Sequence, residues 1–574
     1  MARETRDGVV YDEVDGVRVV WPEGRRSGEP AGSLSFRVGQ ADETLQTRGM
    51  THLIEHLALI RTGQAPHAYN GRTGPTITNF GMQGTAEHLV EFFGTVCTSL
   101  QDLPFDRLDL ERGVLATEEQ GRSGGVDNLI RLRWGPRGYG LLGYLEYGAQ
   151  RVHGPVLRDW SARWFTRENA LLTLNGPPPR GLRLPLPSGT WCAPPEPAPA
   201  IEQLPTSFEM QGEWFGLSTL RERAPGGNEA AWLISERLNQ RLRFQLGLIY
   251  AVQGGTVAYT PDWRHDVYWT HALPDKLTAA GNALIDLLVG IAEPMSDAEH
   301  SQWEAHRRRA REQASSREAR FAYLSYVAEE TLLGGTVQPK EQMAAVGMQL
   351  TEAELLASIT RAQGRFVVAV PPGVDASRVA TSLALYSSST MTGRTLAPAH
   401  GQKEELVLGD RGLSLVRLPS REPVTVHFDE LAGVLSWDDG ARTLLGNDGF
   451  AVAYRPEMWA AKASEVITHI DGRVDPALVI GQGERTPIDK PAGVIASPAR
   501  PGFGQMKTSW QVFFVVRSLL AFIWLVSGIS AAVSPDPASS SGDNGSTSIV
   551  LFALALASAF QPVRWTYRHY RRKA

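Results

Sequence analysis

At 574 residues the chain is long enough for three or four domains, each able to bury a core. Its 57 basic and 62 acidic residues, a formal net charge of -5, lack the basic excess expected of a nucleic-acid partner. Two cysteines, Cys97 and Cys192, exclude a disulfide framework and a cysteine-rich metal module, and they fit a reducing compartment.

The opening residues, MARETRDGVVYDEVDG, hold no apolar stretch of secretory length, which predicts that the bulk of the chain starts in the cytosol. Residues 1–176 read as mixed α/β. Strand-like GVRVVWP and SLSFRVG lead into a helical run expected from about Thr44. AEHLVEFFGTVCTSL and FDRLDLERGVLATEEQ then space their apolar residues as amphipathic helices packed on a sheet. Residues 177–206, with PPPRGLRLPLP and APPEPAPA, support neither helix nor central strand and read as a linker. Residues 207–400 form a second α/β region of similar size, with helical NEAAWLISERLNQRLRFQL and strand-like GRFVVAVPP. Its segment HRRRAREQASSREARF interleaves Glu312 and Glu318 with arginines, the mark of a solvated helix face, and receives no function.

Over residues 401–483 the texture changes to short strand-like runs broken by turns, with Asp439-Gly440 and Asp448-Gly449 as hairpin signals. A small β-rich domain is expected, closing with a helix near Trp459 to Ile467 and loosely like a pleckstrin-homology barrel. Residues 484–511 read as a tether. Two apolar stretches follow, about Val512–Val533 and Ser548–Val563, and predict a transmembrane hairpin over 512–563. The second stretch is the shorter, and a buried helix is its alternative. Lys507 and Arg517 precede the first span or sit at its start, and Arg564, Arg568, Arg571, Arg572 and Lys573 follow the second, whereas the loop SPDPASSSGDNGST has no basic residue. Basic flanks stay inside, which predicts a two-span protein of the cytoplasmic membrane whose N-terminal bulk and basic tail, 564–574, face the cytosol.

The chemistry concentrates in GMTHLIEHLAL. His52 and His56, four residues apart, share one face of a helix and present two imidazoles to one ion. A catalytic zinc takes three protein ligands and keeps one position open for water, and Glu55 between the histidines is placed to act as general base. H-x-x-E-H is the inverted zinc-peptidase signature. A third ligand from another helix is expected in ERGVLATEE, where Glu111 and Glu118, two turns apart, share a face. Glu118 would then complete the metal site and Glu111 would orient a ligand histidine, with Glu119 as the competitor for the ligand role.

Taken together, ADETLQTRGMTHLIEHLAL and ERGVLATEE resemble the M16 peptidase family, the group of pitrilysin, insulin-degrading enzyme and mitochondrial processing peptidase. The resemblance selects Glu118 as ligand. AYNGRT resembles the family's N-A-x-T segment and implies that Asn70 lies beside the substrate backbone, with Gly71 where alanine is usual. The 62 residues from His56 to Glu118 are fewer than the family usually shows. RFQLGLIYAV resembles the family's R-x-x-x-G-L-x-Y signature and implies that Arg243 and Tyr250 hold the substrate carbonyl and its transition state.

The resemblance spans about residues 8–390 and implies an α+β chain. It would consist of two homologous α/β sandwich-like halves, followed by the β-rich domain and the hairpin. The function implied is a membrane-anchored zinc metalloendopeptidase with one Zn²⁺ per site, cutting short or unfolded peptides that add to a sheet edge, as a homodimer or with a second M16-like subunit. The alternatives are a catalytically silent peptide-binding or assembly subunit and a membrane scaffold with a vestigial peptidase.

Overall fold

The computed structural model describes residues 3–485, apart from 25, 27, 64–67, 120–126, 211 and 314–315. The tether beyond Arg485, the expected hairpin over 512–563 and the basic tail lie outside the described residues. Among the described residues, no helix is long and apolar enough to cross a membrane.

Two Asp-Gly turns begin the fold. Asp7-Gly8 (φ 50° and 72°) and Asp15-Gly16 (φ 52° and 85°) hold the left-handed conformations that two-residue hairpins require. They join β1 (Glu4–Arg6), β2 (Val9–Val14) and β3 (Val17–Pro22). The first half continues through β4 (Ala31–Phe36), α1 (Met50–Leu59), β5 (Ala68–Thr73), β6 (Thr78–Gln83), α2 (Ala86–Gln101), α3 (Leu108–Glu119), α4 (Asp127–Trp134), α5 (Gly154–Trp164) and β7 (Ala170–Leu174). Its seven strands run in the order β1-β2-β3-β7-β4-β6-β5, which leaves β5 at an edge. The helical run expected from Thr44 is interrupted. Leu45–Thr47 makes a single 3-10 turn, and α1 starts only after Gly49, whose φ of 92° no helix interior tolerates.

The second half comprises β8 (Thr206–Glu209), β9 (Trp214–Glu222), α6 (Gly227–Asn239), β10 (Gln253–Ala258), β11 (Trp263–His271), α7 (Leu277–Val289), α8 (Asp297–Glu312), α9 (Arg317–Leu333), α10 (Lys340–Gln349), α11 (Glu352–Gln363), β12 (Phe366–Val370) and β13 (Thr381–Ser382). Its sheet order is β10-β11-β9-β12-β8-β13. The five strands β3-β7-β4-β6-β5 of the first sheet correspond one for one to β8-β12-β9-β11-β10 of the second. In both, the first pair is parallel and the other three are antiparallel. The two halves therefore repeat one topology.

Side chains alternate across each strand, and both faces of both sheets are covered. Val17, Val19 and Trp21 of β3 enter a core with α1 and α2, built around Leu34, Phe36, Leu53, Leu57, Phe80, Phe93 and Val96. Val20 and Leu171 point the other way, onto Leu324, Val327 and Leu332 of α9, a helix from the second half. The reciprocal contact completes the pattern. Phe366, Val368 and Val370 pack on α6, α7 and α11, while Val367 and Ala369 meet Leu129 of α4, from the first half. Burial on both faces is why FVVAV is apolar throughout instead of alternating, and each such side chain contributes on the order of 1.5–3 kcal/mol.

The proline-rich segment is a packed strap. Its prolines bar it from a ladder, yet an extended chain still alternates, and Leu182, Leu184 and Leu186 enter the first core. Trp191 Nε1 donates to Leu332 O at 2.8 Å, and Arg37 Nε donates to Cys192 O at 2.8 Å.

The β-rich part has two four-stranded sheets. One runs β14 (Gly393–Leu396), β15 (Glu404–Gly409), β16 (Gly412–Arg417), β17 (Pro423–His427). The other, ordered β20-β19-β18-β21, is built from β18 (Leu431–Trp437), β19 (Arg442–Gly446), β20 (Ala451–Tyr454) and β21 (Val479–Gly483). Gly440 (φ 91°) and Gly449 (φ 88°) turn the β18-β19 and β19-β20 hairpins. The closing helix, α12 (Ala463–Asp471), begins later than expected, because Trp459 is buried in a bridge to Pro398.

Candidate metal centre

Helix α1 buries Leu53, Ile54, Leu57 and Ala58 and turns His52 and His56 to the opposite side, partly exposed. Its first turn is capped by a side chain from upstream. Glu43 accepts from Gly49 N at 2.8 Å and Thr51 N at 2.7 Å, placing a carboxylate at the positive end of the helix. Burial pushes the Glu43 carboxyl up. Arg48, 3.4 Å away, and the two N–H donors oppose that shift.

The two imidazole rings stand perpendicular with centroids 4.9 Å apart. His52 Nδ1 lies 3.0 and 3.2 Å from the carboxylate oxygens of Glu146, and His56 Nδ1 lies 3.1 Å from Glu111 Oε2. A carboxylate accepts, which gives each Nδ1 the donor role and leaves each Nε2 as the ring nitrogen turned toward Glu118. Both Nε2 atoms lie 3.8 Å from Glu118 Oε2. Ligand bonds of about 2.0–2.1 Å at tetrahedral angles would set donor atoms about 3.3 Å apart, so Glu118 Oε2, 3.8 Å from each Nε2, stands about half an ångström beyond ligand spacing from either imidazole.

Glu55 sits between the histidines, 4% exposed, with Oε2 accepting from Thr73 Oγ1 at 2.9 Å. Burial pushes its carboxyl above the ordinary glutamate value, against the pull of His52, Thr73 and His56. His52, Glu55 and His56 also present ligand atoms within 4.8 Å of one another. Of the two carboxylates, Glu118 is the one that reaches both Nε2 atoms from a separate helix, and its side chain is 49% exposed. Glu119 instead accepts from the backbone N–H of Glu146. Arg112 pins α3 by donating to Ala149 O and Val152 O.

Asn70 is exposed on the edge strand β5. The neighbouring Gly71 has a physical reason to lack a side chain. A Cβ there would meet Glu55 Oε1 and lie 2.7 Å from its Cδ and Cγ.

Arg243 and Tyr250 come together, the guanidinium lying 5.3 Å from the ring centroid. Arg243 lies within a π-helical turn, Gln240–Gln245, and Tyr250 follows a left-handed Gly247 (φ 59°). Tyr250 is 78% exposed, beside exposed Phe244, Leu246 and Leu273.

Sequence reasoning missed Glu146 and Thr73. Glu146 is the lone charge in GYGLLGYLEYGAQ, and an isolated carboxylate amid glycines and apolar residues was the available signal.

Neither a family model nor a curated protein matches the sequence. Solved structures share the fold. A protease from Helicobacter pylori matches with 14% identity and a TM-score of 0.52 over 63% of this chain and 98% of its own. The first half of the periplasmic protease PqqL from Escherichia coli matches with 17% identity and a TM-score of 0.50 over 66% and 94%. An inactive domain of peptidase M16 from Pseudomonas fluorescens matches with 14% identity and a TM-score of 0.51 over 64% and 98%. The fold the chain adopts is that of the M16 peptidases.

Proposed function

We propose that this chain is a zinc metalloendopeptidase of the M16 type. The observation that carries the reading is the convergence of His52 Nε2, His56 Nε2 and Glu118 Oε2, with both Nδ1 atoms held by carboxylates. His52, His56 and Glu118 would hold the ion. When bound, zinc supplies a Lewis acid that polarises the scissile carbonyl and acidifies water. Glu55 takes the proton from the attacking water and returns it to the leaving amine, and Thr73 fixes the carboxylate in place for both transfers.

An extended peptide pairs with the edge of β5, where Asn70 meets its backbone. Arg243 and Tyr250 stabilise the developing oxyanion. Their exposure supports a site completed by a second copy or a subunit of like fold. The apolar stretches at 512–563 would anchor that assembly to the cytoplasmic membrane, with the catalytic region on the cytosolic side.

Zinc content and cleavage of a quenched peptide by the wild type and Glu55→Gln test the reading. The expected result is one zinc per chain in both proteins and cleavage by the wild type alone. A wild type without zinc refutes it. Zinc without cleavage of any peptide points to the silent subunit.

A further inference from the structure

We infer that the β-rich unit is a built-in support of the metal site, acting through Glu146 to hold His52 in its ligand orientation. The inference rests on the metallopeptidase reading and assigns a role to a part of the chain that the peptide chemistry leaves without one.

Two segments of the first half converge on His52. One is Leu45–Gly49, leading into α1, and the other is the stretch from Leu141 to Glu146. The Glu146 carboxylate is buried and accepts a hydrogen bond from His52 Nδ1. Arg48 links the segments. It donates from Nε to Leu141 O at 2.8 Å and lies 3.4 Å from Glu43 and 3.6 Å from Glu146. Gly49 completes the interlock, because a Cβ there would stand 2.6 Å from the Glu146 Cβ.

Both segments are gripped from the far side by the β-rich unit. Leu45, Leu141 and Tyr144 share one apolar cluster with Leu435 of β18, Leu445 of β19 and Ile480 of β21. Gln46 Nε2 donates to Ala432 O at 2.7 Å, and Arg151 Nε donates to Gly481 O at 2.8 Å. Gly433 packs so closely on Leu45 that a Cβ would lie 3.0 Å from its side chain. Tyr144 and Leu45 thus transmit the position of the β-sheet to residues two and three positions further on, Glu146 and Arg48. An imidazole ligand whose Nδ1 partner is lost rotates and weakens as a base, an effect typically of about 10- to 100-fold in metal affinity. Glu146 is therefore a positioning residue, and the β-rich unit positions Glu146.

The test is a double-mutant cycle on zinc affinity in the full chain, read by competition with a chromophoric chelator and by the visible bands of the cobalt-loaded protein. Glu146→Gln should weaken zinc about 10- to 100-fold and shift the cobalt bands. Leu435→Ala, on the β-rich unit, should weaken zinc several-fold in a folded protein. In the Glu146→Gln background Leu435→Ala should add little, because both act through one carboxylate. If Leu435→Ala does not fold, Gln46→Ala, which removes a single hydrogen bond, takes its place in the cycle. Unchanged affinity in Glu146→Gln, unchanged affinity in the β-rich variant, or full additivity of the two effects overturns the inference. A wild type that binds no zinc instead refutes the metallopeptidase reading itself.

Discussion

Gly71→Ala is the sharpest probe of the base. The added methyl would meet Glu55 Oε1 and lie 2.7 Å from Cδ and Cγ, whereas ordinary contact begins at 3.4 Å, so the carboxyl carbon must move by at least 0.7 Å and Oε1 by more. That swing breaks the 2.9 Å bond from Thr73 and turns the carboxylate away from the water it serves. A misplacement of about 1 Å at a reacting group costs on the order of 10²-fold in rate, or about 2.7 kcal/mol of barrier. Gly71 has no positive φ, so the backbone of β5 accepts alanine and the sheet is preserved. The expected outcome is kcat reduced about 100-fold, KM little changed and one zinc per chain retained, as measured by steady-state cleavage and metal analysis. Wild-type kcat in Gly71→Ala, or activity lost only together with zinc, would refute the reasoning.

Glu55→Gln removes the proton acceptor and should lower kcat by about 10²- to 10⁴-fold with zinc retained, measured on the same peptide. Mixing two dead chains, Glu55→Gln and Tyr250→Phe, tests the shared site. At equal amounts half the dimers are mixed, and each mixed dimer has one intact site of two, so about a quarter of full activity should return; no recovery would place Tyr250 in the site of its own chain. His265 is buried against Tyr259 and Arg133, and burial drives its pKa well below 6.5. A depressed histidine pKa stabilises above the unfolded value and loses that contribution as pH falls, here by about 1.4 kcal/mol per pH unit below about pH 6.5. His265→Gln should therefore flatten the acid side of the melting profile, and identical slopes in the two proteins would count against it.

How much of this was legible follows from where each group lies along the chain. His52, Glu55 and His56 lie within five residues of one helix, so spacing alone reveals the pair of imidazoles and the base between them. Glu111 and Glu118 were legible for the same reason, as two turns of one helix. Glu146 lies 94 residues from His52 in a stretch with no period, and only the folded chain brings the two together. The packing of the proline-rich segment was not legible, because proline forbids a ladder without forbidding extended packing, and Leu182, Leu184 and Leu186 alternate there as they would in a strand. The helical stretch NEAAWLISERLNQRLRFQL was legible from its spacing, and it ends where a π-helical turn gives way to the left-handed Gly247.

Apolar runs announce burial without naming the cover. FVVAV is apolar throughout, but nothing local says that one cover is α4 from the other half, or that α9 covers the first sheet in turn. The same division separates chemistry from its support. His52, Glu55 and His56 fall at short intervals because one helix presents them together, whereas Glu118 and Glu146 arrive from other elements far along the chain. The reach of the β-rich unit to His52, through Leu45, Tyr144 and Glu146, is such a long-range support, and its loss should register in metal affinity before it registers in the fold.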